Sequence, residues 1–306
     1  MKNLFVVGSL HLDVIVKSPR IPQKDETIIG KSVEYVFGGK GGNQALAADQ
    51  NGASTFLAGR VGSDSFAKLL TAHLQNSSVD FSALQVGKGA SGMSVAIVEE
   101  SGEYSAAVVS GENLHIDEKS IEVPENTGVL LLQNEINDKV NLEIAKRAKA
   151  AGSKIWLNAA PAKRIESNLL SLIDLCIVNR IEAEFYDFSN KEKNENNLTI
   201  IKTLGQQGLE IIEPCGNIKK IPSFSVNVVS SHGAGDMFIG ALAARYLQGD
   251  PIESALKYAQ GAAALHISRP ENERKEITPK NISDFISSNL LNLNIIKLIN
   301  RSIRSE

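Results

Sequence analysis

Short apolar runs with the composition of β-strands alternate with helical patterns along most of the chain. The apolar runs lie at residues 4–7, 129–133, 155–157 and 175–178, and the helical patterns lie near residues 43–51 and 140–151. Because parallel strands of one sheet are joined by crossover helices, this alternation is typical of βαβ units. The chain is therefore predicted to form an α/β core with a central, mostly parallel sheet.

Two segments interrupt this alternation. Residues 12–37 and 93–109 alternate apolar and polar side chains without an intervening helical pattern, which predicts a small, half-exposed β-sheet. Close to the first strand, such a sheet is placed to cover the crevice at the carboxyl ends of the core strands, where ligands bind in open α/β sheets. The pattern leaves two interpretations open, a lid over this crevice and a purely structural pair of hairpins.

Composition and charge exclude several classes of protein. The 306 residues carry a formal net charge of -3, with 42% hydrophobic and 22% charged residues, which is the balance of a globular domain without a nucleic-acid-binding surface. No apolar run is long enough for a membrane span or a signal peptide, so a cytoplasmic location is expected. Cys176 and Cys215 belong to no paired motif, so we predict no disulfide or zinc site and a buried Cys176.

The clearest local motif is the turn Gly233-Ala234-Gly235-Asp236, which precedes a helix of small residues. Glycines before a helix leave backbone N–H groups free to bind an anion, and the helix dipole adds to the attraction. Asp236 is then placed to take a proton from an attacking hydroxyl while the N–H groups stabilise a transferred phosphoryl group. The alternative is an aspartate that only complements the helix dipole.

A second glycine cluster, at residues 38–42, opens another helix and brings Lys40 and Asn43 to the strand ends. This cluster is not a P-loop because the GxxxxGK[ST] spacing is absent, and no GxGxxG dinucleotide motif follows the first strand. Asp13, which does follow that strand, is either an acceptor for substrate hydroxyls or a turn aspartate.

Asn179 and Glu182 come directly after the apolar run at residues 175–178 and are three residues apart. At the start of a helix, this pair has a geometry suited to a Mg²⁺ ion that keeps most of its water. A capping box, in which each side chain bonds the backbone of the other residue, has the same spacing. Local reasoning leaves both interpretations open.

Taken in order, these motifs resemble the ribokinase-like carbohydrate kinase family. The matching segments are residues 8–13, 38–44, 133–135, 157–162, 179–184 and 203–208 and the turn at 233–236. The resemblance implies one kinase domain over residues 1–306, with a three-layer α/β/α core and a β-sheet lid formed by residues 12–37 and 93–109. It also implies ATP-dependent phosphorylation of a sugar hydroxyl and a homodimer formed through the lid. The lid would exclude water from phosphoryl transfer.

The resemblance assigns roles to individual residues. Asp236 would be the catalytic base, and the turn that starts at Gly233 would supply an anion hole through the N–H groups of Ala234 and Gly235. The sugar would be bound by His11, Asp13, Gly39, Lys40, Asn43 and Glu135. The nucleotide would be bound by Asn179, Thr203, Gly205, Gly208 and Gln260, and Mg²⁺ would be held through water by Asn179 and Glu182. Sugar and ATP are the expected partners, without nucleic acid or membrane.

The chain also departs from the family pattern. His11 stands where the family usually has Asn, which changes one hydroxyl contact, and Ser230 stands where an Asp usually precedes the anion-hole turn. Residues 269–275 replace the segment that completes a monovalent-cation site in the family. Because a carboxylate is lost and cations are gained, we predict that Arg274 or Lys275 reaches the potassium position and makes activity potassium-independent. The region 184–199, with its polar stretch at 189–197 predicted as a solvated loop, is shorter than usual.

The leading prediction is transfer of the γ-phosphoryl group of ATP to the primary hydroxyl of a pentose, namely ribose, to give ribose 5-phosphate. The same fold and mechanism would serve another sugar or a nucleoside such as pseudouridine. A catalytically silent sugar-binding regulator is the alternative from another class, but the retained Asp236 argues against it because a binder needs no base. An NAD-linked oxidoreductase would require the glycine motif that this chain lacks.

Overall fold

The computed structural model describes residues 2–99, 101, 103–187 and 198–289 of the chain. Within this part, nine strands form one large sheet and four strands form a smaller one. The strands are β1 (Asn3–Val7), β2 (His11–Ser18), β3 (Ser32–Gly38), β4 (Thr55–Val61), β5 (Leu84–Val86), β6 (Gly92–Glu99), β7 (Tyr104–Val109), β8 (Thr127–Gln133), β9 (Lys154–Asn158), β10 (Leu175–Asn179), β11 (Thr199–Thr203), β12 (Leu209–Ile212) and β13 (Ile218–Ile221). The α-helices are α1 (Lys40–Gln50), α2 (Ser65–Leu74), α3 (Asp138–Ala150), α4 (Ser167–Leu170), α5 (Arg180–Tyr186), α6 (Ala234–Leu247) and α7 (Ile252–Ile267), and residues 279–289 are also helical. Short 3₁₀ helices lie at Gly111–His115, Glu118–Ser120, Gly205–Gln207 and Glu271–Glu276.

The large sheet has the strand order β13-β12-β11-β10-β9-β8-β1-β4-β5. The strands from β11 to β5 in this order are parallel to their neighbours, whereas β12 and β13 pair antiparallel at one edge. The four apolar runs noted in the sequence are β1, β8, β9 and β10, which lie side by side at the centre. The predicted α/β core with a mostly parallel sheet is confirmed.

Helices cover both faces of this sheet. Strand side chains point alternately to opposite faces, so Leu4 and Val6 of β1 contribute to one apolar cluster and Phe5 and Val7 to the other. Helices α1, α2, α6 and α7 pack in the first cluster, and α3, α4 and α5 pack in the second. These three layers are the predicted α/β/α arrangement, and the four apolar side chains of β1 are fully buried.

The smaller sheet has the strand order β3-β2-β6-β7, with β2 parallel to β6 and the other two pairs antiparallel. Strand β2 follows the carboxyl end of β1 after three residues, and β3 runs directly into the start of α1. The two segments predicted to form a separate sheet therefore do so, at the edge of the core where the strands end. Its function as a lid stays a prediction.

Helix α1 begins at Lys40, three residues before the predicted start near residue 43. Glycine disfavours a helix interior, which is why the pattern placed the start later. The physical reason for the earlier start is close packing: a Cβ atom at Gly41 would lie 2.7 Å from the Cα atom of Gly8. Gly41 therefore lets the first turn of α1 contact the carboxyl end of β1.

Two further expectations concern burial and membranes. Cys176 in β10 is fully buried, as predicted, and burial raises the pKa of its thiol. None of the helices in the described ranges is long and apolar enough to cross a membrane. The polar stretch at 189–197, predicted as a solvated loop, lies outside the described residues.

Candidate active site

The residues predicted for the site gather at the carboxyl ends of the central strands. His11 and Asp13 follow β1, Glu135 follows β8, Asn179 ends β10 and Thr203 ends β11. Helices α1, α5 and α6 begin at the same edge. This edge of an open α/β sheet is where loops and helix N-termini converge, so it can hold a ligand between backbone donors and side chains.

The turn before α6 contains the two N–H groups, those of Ala234 and Gly235, that were predicted to form the anion hole. Gly233 precedes the helix with φ 73°, a left-handed conformation that glycine adopts without strain. The N–H of Ala234 donates to the Ser231 carbonyl over 3.3 Å, whereas the N–H of Gly235 has no acceptor within the described residues. A Cβ atom at Gly235 would meet nothing within 4 Å, so the space in front of this donor is open.

Asp236 is held by side-chain amides from α1. Gln44 Nε2 donates to Asp236 Oδ1 over 2.9 Å, and Asn43 Nδ2 lies 3.4 Å from Oδ2. Gln44 is itself fixed by two buried amides, since it donates to Asn158 Oδ1 over 3.0 Å and accepts from Gln133 Nε2 over 2.9 Å. The chain of amides leaves Oδ2 as the less engaged oxygen of the carboxylate.

The environment of Asp236 favours proton uptake. Burial is the main cause that raises the pKa of this carboxyl above its ordinary value, and the nearby Glu135 also raises it. The positive charge of Lys40 and the hydrogen bonds from Gln44 and Asn43 act in the opposite direction. Desolvation exceeds these effects, so Asp236 is a stronger base than an exposed aspartate.

Glu135, which follows β8, contacts the glycine cluster at residues 38–42. Its Oε2 atom accepts the backbone N–H of Lys40 over 2.9 Å and a hydrogen bond from the hydroxyl of Ser9. Gly39 has φ 89°, and a Cβ atom there would lie 2.7 Å from the backbone of His11. Only glycine fits this approach, so the turn that presents Lys40 depends on it.

Asp13 and His11 lie in β2 beside this turn. Asp13 Oδ1 accepts a hydrogen bond of 2.5 Å from Ser94 Oγ on the neighbouring strand β6. His11 is 5% exposed, and its Nε2 atom has no hydrogen-bond partner within the described residues. Because a buried polar atom without a partner is costly, His11 Nε2 is a candidate contact for a ligand hydroxyl.

Asn179 and Glu182 form a capping box at the start of α5. Glu182 N–H donates to Asn179 Oδ1 over 2.9 Å, and Asn179 N–H donates to Glu182 Oε2 over 2.8 Å. Burial raises the pKa of Glu182 above its ordinary value, while Lys40 lowers it. The capping interpretation is therefore correct for this structure, and the Mg²⁺ function of the same pair stays a prediction.

A cleft of about 170 Å³ brings the predicted phosphate-side residues together. Its lining includes Lys40, Asn179, Glu182, Thr203, Gly233, Gly235 and Asp236. Gly205, Gly208 and Gln260, although all described, are not among the lining residues. Gln260 Nε2 lies 3.4 Å from the Ile221 carbonyl, against which Gly208 also packs.

A second cavity of about 230 Å³ is also lined by Gly233 and Asp236. Its lining combines apolar side chains, including Val36, Phe37, Leu46 and Met237, with the polar side chains Asn43, His73, His232, His266, Arg274 and Lys275. Of the two cations predicted near the turn, Arg274 contacts the loop at Ser230, whereas the Lys275 side chain is exposed.

Sequence reasoning missed Gln44, Asn158 and Gln133 as members of the site. All three are buried side-chain amides that lie within or beside the matching segments. Gln44 directly follows Asn43 at the start of a helix of small residues, and an amide at a core-facing helical position is the signal that indicates a buried hydrogen-bond partner.

The arrangement supports one kind of chemistry. At the N-terminus of α6, a carboxylate with a raised pKa lies beside a backbone N–H that has no acceptor among the described residues, and one cleft is lined by both groups and by Lys40. Such a site can deprotonate a hydroxyl and stabilise the negative charge of a group transferred to it. The fold and site therefore define a group-transfer enzyme that acts on an alcohol.

Comparison with known proteins identifies the family. The chain belongs to the pfkB family of carbohydrate kinases, whose family model matches residues 1–277. It is 30% identical over 286 residues to a ribokinase of Haemophilus influenzae, covering 88% of this chain and 93% of that protein. A ribokinase of Bacillus subtilis is 31% identical over 274 residues, covering 87% of this chain and 93% of its own.

A solved structure agrees with these relatives. The ribokinase of Arabidopsis thaliana complexed with ribose and ATP superposes with a TM-score of 0.86 at 27% identity, covering 94% of this chain and 99% of that chain. The resemblance inferred from the motifs is confirmed, and the chain is a sugar kinase, a phosphotransferase with an alcohol group as acceptor.

Proposed function

We propose that the chain transfers the γ-phosphoryl group of ATP to the primary hydroxyl of ribose and produces ribose 5-phosphate. The observation that carries this proposal is Asp236, a base at the start of α6 that Gln44 holds. It lies beside the N–H of Gly235, which has no acceptor in the described part of the chain. The ribose and ATP bound to the related Arabidopsis enzyme support the choice of both substrates.

In this reaction Asp236 accepts the proton of the attacking hydroxyl. Oδ1 already accepts a hydrogen bond from Gln44 over 2.9 Å, whereas within the described residues Oδ2 has only the longer contact to Asn43. Oδ2 is therefore the atom that receives the proton. As the hydroxyl oxygen bonds to the γ-phosphorus, the bond from that phosphorus to the β,γ-bridging oxygen breaks and ADP leaves. Negative charge on the transferred group is stabilised by the Gly235 N–H, the α6 dipole and Lys40.

The sugar would lie between β2 and the start of α1. Asp13 has a second carboxylate oxygen for sugar hydroxyls beyond its bond with Ser94, and His11 Nε2 has no hydrogen-bond partner among the residues that the structure describes. The side chains of Lys40 and Asn43, the backbone at Gly39 and the carboxylate of Glu135 would complete the hydroxyl contacts. Together they supply both donors and acceptors, as recognition of a polyol requires.

The nucleotide would lie over the ends of β10 and β11, with Asn179 and Thr203 on its phosphate side and Gly205, Gly208 and Gln260 farther along. The residues present fit a Mg²⁺ ion bound through water, because Glu182 lines the cleft and uses only Oε2 in its capping box. No group of three or more His, Cys, Asp or Glu side chains in the described residues converges as a metal site. The ion would neutralise charge on the nucleotide phosphates.

An assay of ATP consumption over a panel of pentoses, hexoses and nucleosides tests the proposal. Ribose is expected to give the highest kcat/KM, with product phosphorylated at the primary hydroxyl, which phosphorus NMR identifies. Asp236→Asn should lower kcat about a thousandfold because it removes the general base. Asp284→Asn, which changes an exposed aspartate of the helix at 279–289, is the matched control. Turnover of none of these substrates by the wild-type enzyme would refute the proposal.

A nucleoside substrate is the second candidate, and the cavity of about 230 Å³ beside Asp236 favours it. Its apolar wall, with Phe37 and Leu46, and its imidazoles would suit a planar base attached to the sugar. Higher kcat/KM for pseudouridine or another nucleoside than for ribose in the same panel would select this function.

We also propose a homodimer formed through the small sheet of a cytoplasmic enzyme. Val33, Tyr35, Val95 and Val109 are between 38% and 58% exposed and, by the strand register, lie on one face of that sheet. A contiguous apolar face of this kind indicates a protein contact. Light scattering should give a dimer mass, and Tyr35→Asp should lower it; a monomeric wild-type protein would contradict the dimer.

A further inference from the structure

Arg274 is a buried cation beside the catalytic turn. It lies in the 3₁₀ helix Glu271–Glu276, and 6% of it is exposed. Within the part of the chain that the structure describes, Arg274 forms no ion pair with a carboxylate. A buried charge is expensive unless other groups compensate for it, so its hydrogen-bond partners identify the function it serves.

Those partners are main-chain carbonyls that converge on the guanidinium. Nη2 donates to the Ser230 carbonyl over 2.8 Å, and Nη1 donates to the His232 carbonyl over 3.0 Å. Nε donates to the Arg269 carbonyl over 3.2 Å, just past the end of α7, where the helix dipole favours a positive charge. Carbonyl oxygens that point at one place repel one another, so this arrangement depends on a cation between them.

Two of these carbonyls belong to the loop that sets the anion hole. Ser230 and His232 lie within the three residues before Gly233, and the Ala234 N–H donates to the carbonyl of Ser231, which lies between them. The position of the Gly235 N–H therefore follows from the conformation of this loop. Because an error of about 1 Å in the reacting geometry can cost about a hundredfold in rate, the loop must be held accurately.

Other contacts at this place are neutral. His266 Nε2 lies 3.1 Å from the His232 carbonyl, and burial and the neighbouring Arg274 lower the pKa of His266 to about 4, so it is uncharged at neutral pH. Glu271, an acidic residue of the same 3₁₀ helix, acts on Arg274 only through space. The backbone of Arg274 is fixed to α1, since Gln50 Nε2 donates to its carbonyl over 2.8 Å.

We propose that Arg274 is the resident cation of the anion-hole loop, a positioning residue that takes the place of a free monovalent ion. Its fork of three N–H donors holds the Ser230 and His232 carbonyls, and thereby the Gly235 N–H, in the geometry that phosphoryl transfer requires. The inference rests on the proposed kinase function, and it predicts that the wild-type enzyme needs no potassium, sodium or ammonium.

Chemical rescue tests this proposal. In Arg274→Ala, kcat for the best sugar should fall about tenfold to a hundredfold while KM changes less than about threefold. Guanidinium or potassium chloride should then restore much of kcat, compared with choline chloride at the same ionic strength, because the vacated carbonyls bind a cation. Wild type and Lys280→Ala, which removes an exposed cation nearby, should not respond.

A thermal-shift measurement gives a second readout that needs no turnover. Guanidinium or potassium at low concentration should raise the Tm of Arg274→Ala relative to choline, because an ion that binds only the folded state stabilises it, and should leave wild type unchanged. Failure of the wild-type enzyme to phosphorylate any sugar would refute the kinase function and leave this readout intact.

Three results would overturn the proposal. The first is a kcat of Arg274→Ala equal to that of wild type. The second is a loss of kcat in a folded Arg274→Ala that none of guanidinium, potassium or ammonium restores. The third requires no variant and so applies even if Arg274→Ala does not fold: activation of the wild-type enzyme by potassium of more than about twofold would show that a free cation site exists.

Discussion

The catalytic turn has a charged side chain on each of its two sides, and neutral dipoles hold both charges. On one side, the negative Asp236 accepts hydrogen bonds from the side-chain amides of Gln44 and Asn43. On the other side, the positive Arg274 donates to the main-chain carbonyls of Ser230 and His232. Among the described residues, neither charge has a hydrogen-bond or ion-pair partner of opposite charge.

The two sides differ in whether the charge has to change. Asp236 takes up a proton in the proposed reaction, and its amide partners leave Oδ2 accessible while burial raises its pKa. An arginine side chain stays protonated in proteins, and each of the three guanidinium nitrogens of Arg274 donates to a main-chain carbonyl. The carboxylate that reacts therefore keeps one accessible oxygen, whereas the guanidinium that only positions the loop has a carbonyl partner on each nitrogen.

The largest effect is expected from Asp236→Asn, which removes the charge that reacts. Loss of a general base lowers the rate by about a thousandfold, so kcat for the best sugar should fall by that amount. The variant should at the same time be more stable than wild type at neutral pH. The pKa of Asp236 is raised in the folded state, so the folded wild-type protein loses stability as the pH rises and this carboxyl ionises, whereas an amide does not ionise.

Steady-state kinetics and thermal unfolding of the same preparation measure both effects. The gain in Tm should disappear below about pH 4, where the carboxyl is protonated in the folded and the unfolded states alike. Asp284→Asn should change neither quantity. A less active variant with a lower Tm at neutral pH would mean that Asp236 stabilises the fold, contrary to its place on the reacting side of the turn.

A smaller effect is expected from Gln44→Met, which removes the hydrogen bond to Asp236 Oδ1. A hydrogen bond to a charged group contributes about 1.5–3 kcal/mol, so we expect kcat/KM to fall about tenfold at neutral pH. Because the bond from Gln44 lowers the pKa of Asp236, its loss should raise that pKa further. The base must be ionised to act, so activity should be lost at a higher pH than in wild type as the pH falls.

The pH dependence of kcat/KM measures this shift. In Gln44→Met, Asn158 and Gln133 also lose their common partner. Asn158→Ala is the matched control, because it leaves the bond between Gln44 and Asp236 in place. It should shift the acid limb, the fall of kcat/KM at low pH, less than Gln44→Met does. An unchanged acid limb in Gln44→Met would show that the amide holds the carboxylate without setting its pKa.

The two sides of the turn also differ in how far the sequence predicted them. The turn at residues 233–236 is local, so its glycines and the start of α6 identified Asp236 directly. Gln44 lies 192 residues from Asp236 along the chain, and their contact depends on α1 and α6 packing on one face of the sheet. Local patterns contain no such information, which is why the amides were missed.

Arg274 and the capping box show the same limit. The sequence indicated two adjacent cations near Ser230, and only the direction of each side chain on the 3₁₀ helix decides that Arg274 is enclosed and Lys275 exposed. The spacing of Asn179 and Glu182 is the same for a capping box and for a Mg²⁺ site, so the sequence could not separate the two. The alternation of strands and helices did predict the parallel core, but the strand order and the antiparallel edge of β12 and β13 follow from packing that no local period describes.

The smallest effect is expected from Gln50→Met. Gln50 lies on α1, as Gln44 does, but it contacts the backbone of Arg274. Gln50 Nε2 donates to the carbonyls of Arg274 and Ile277, both over 2.8 Å, so its loss loosens the backbone that presents the guanidinium. The guanidinium keeps its own three bonds, and we therefore expect kcat to fall only about twofold to threefold. No titrating group is involved, so the acid limb should stay in place.

The double variant Gln44→Met and Gln50→Met decides whether the two sides act independently. The two residues are six positions apart on α1, about 9 Å along its axis, and share no partner, so their effects on kcat/KM should multiply. Kinetics of the wild type, both single variants and the double variant give the coupling energy. A loss in the double variant equal to that in Gln44→Met alone would show that Gln50 acts through the carboxylate, and the separation of the two sides would then be wrong.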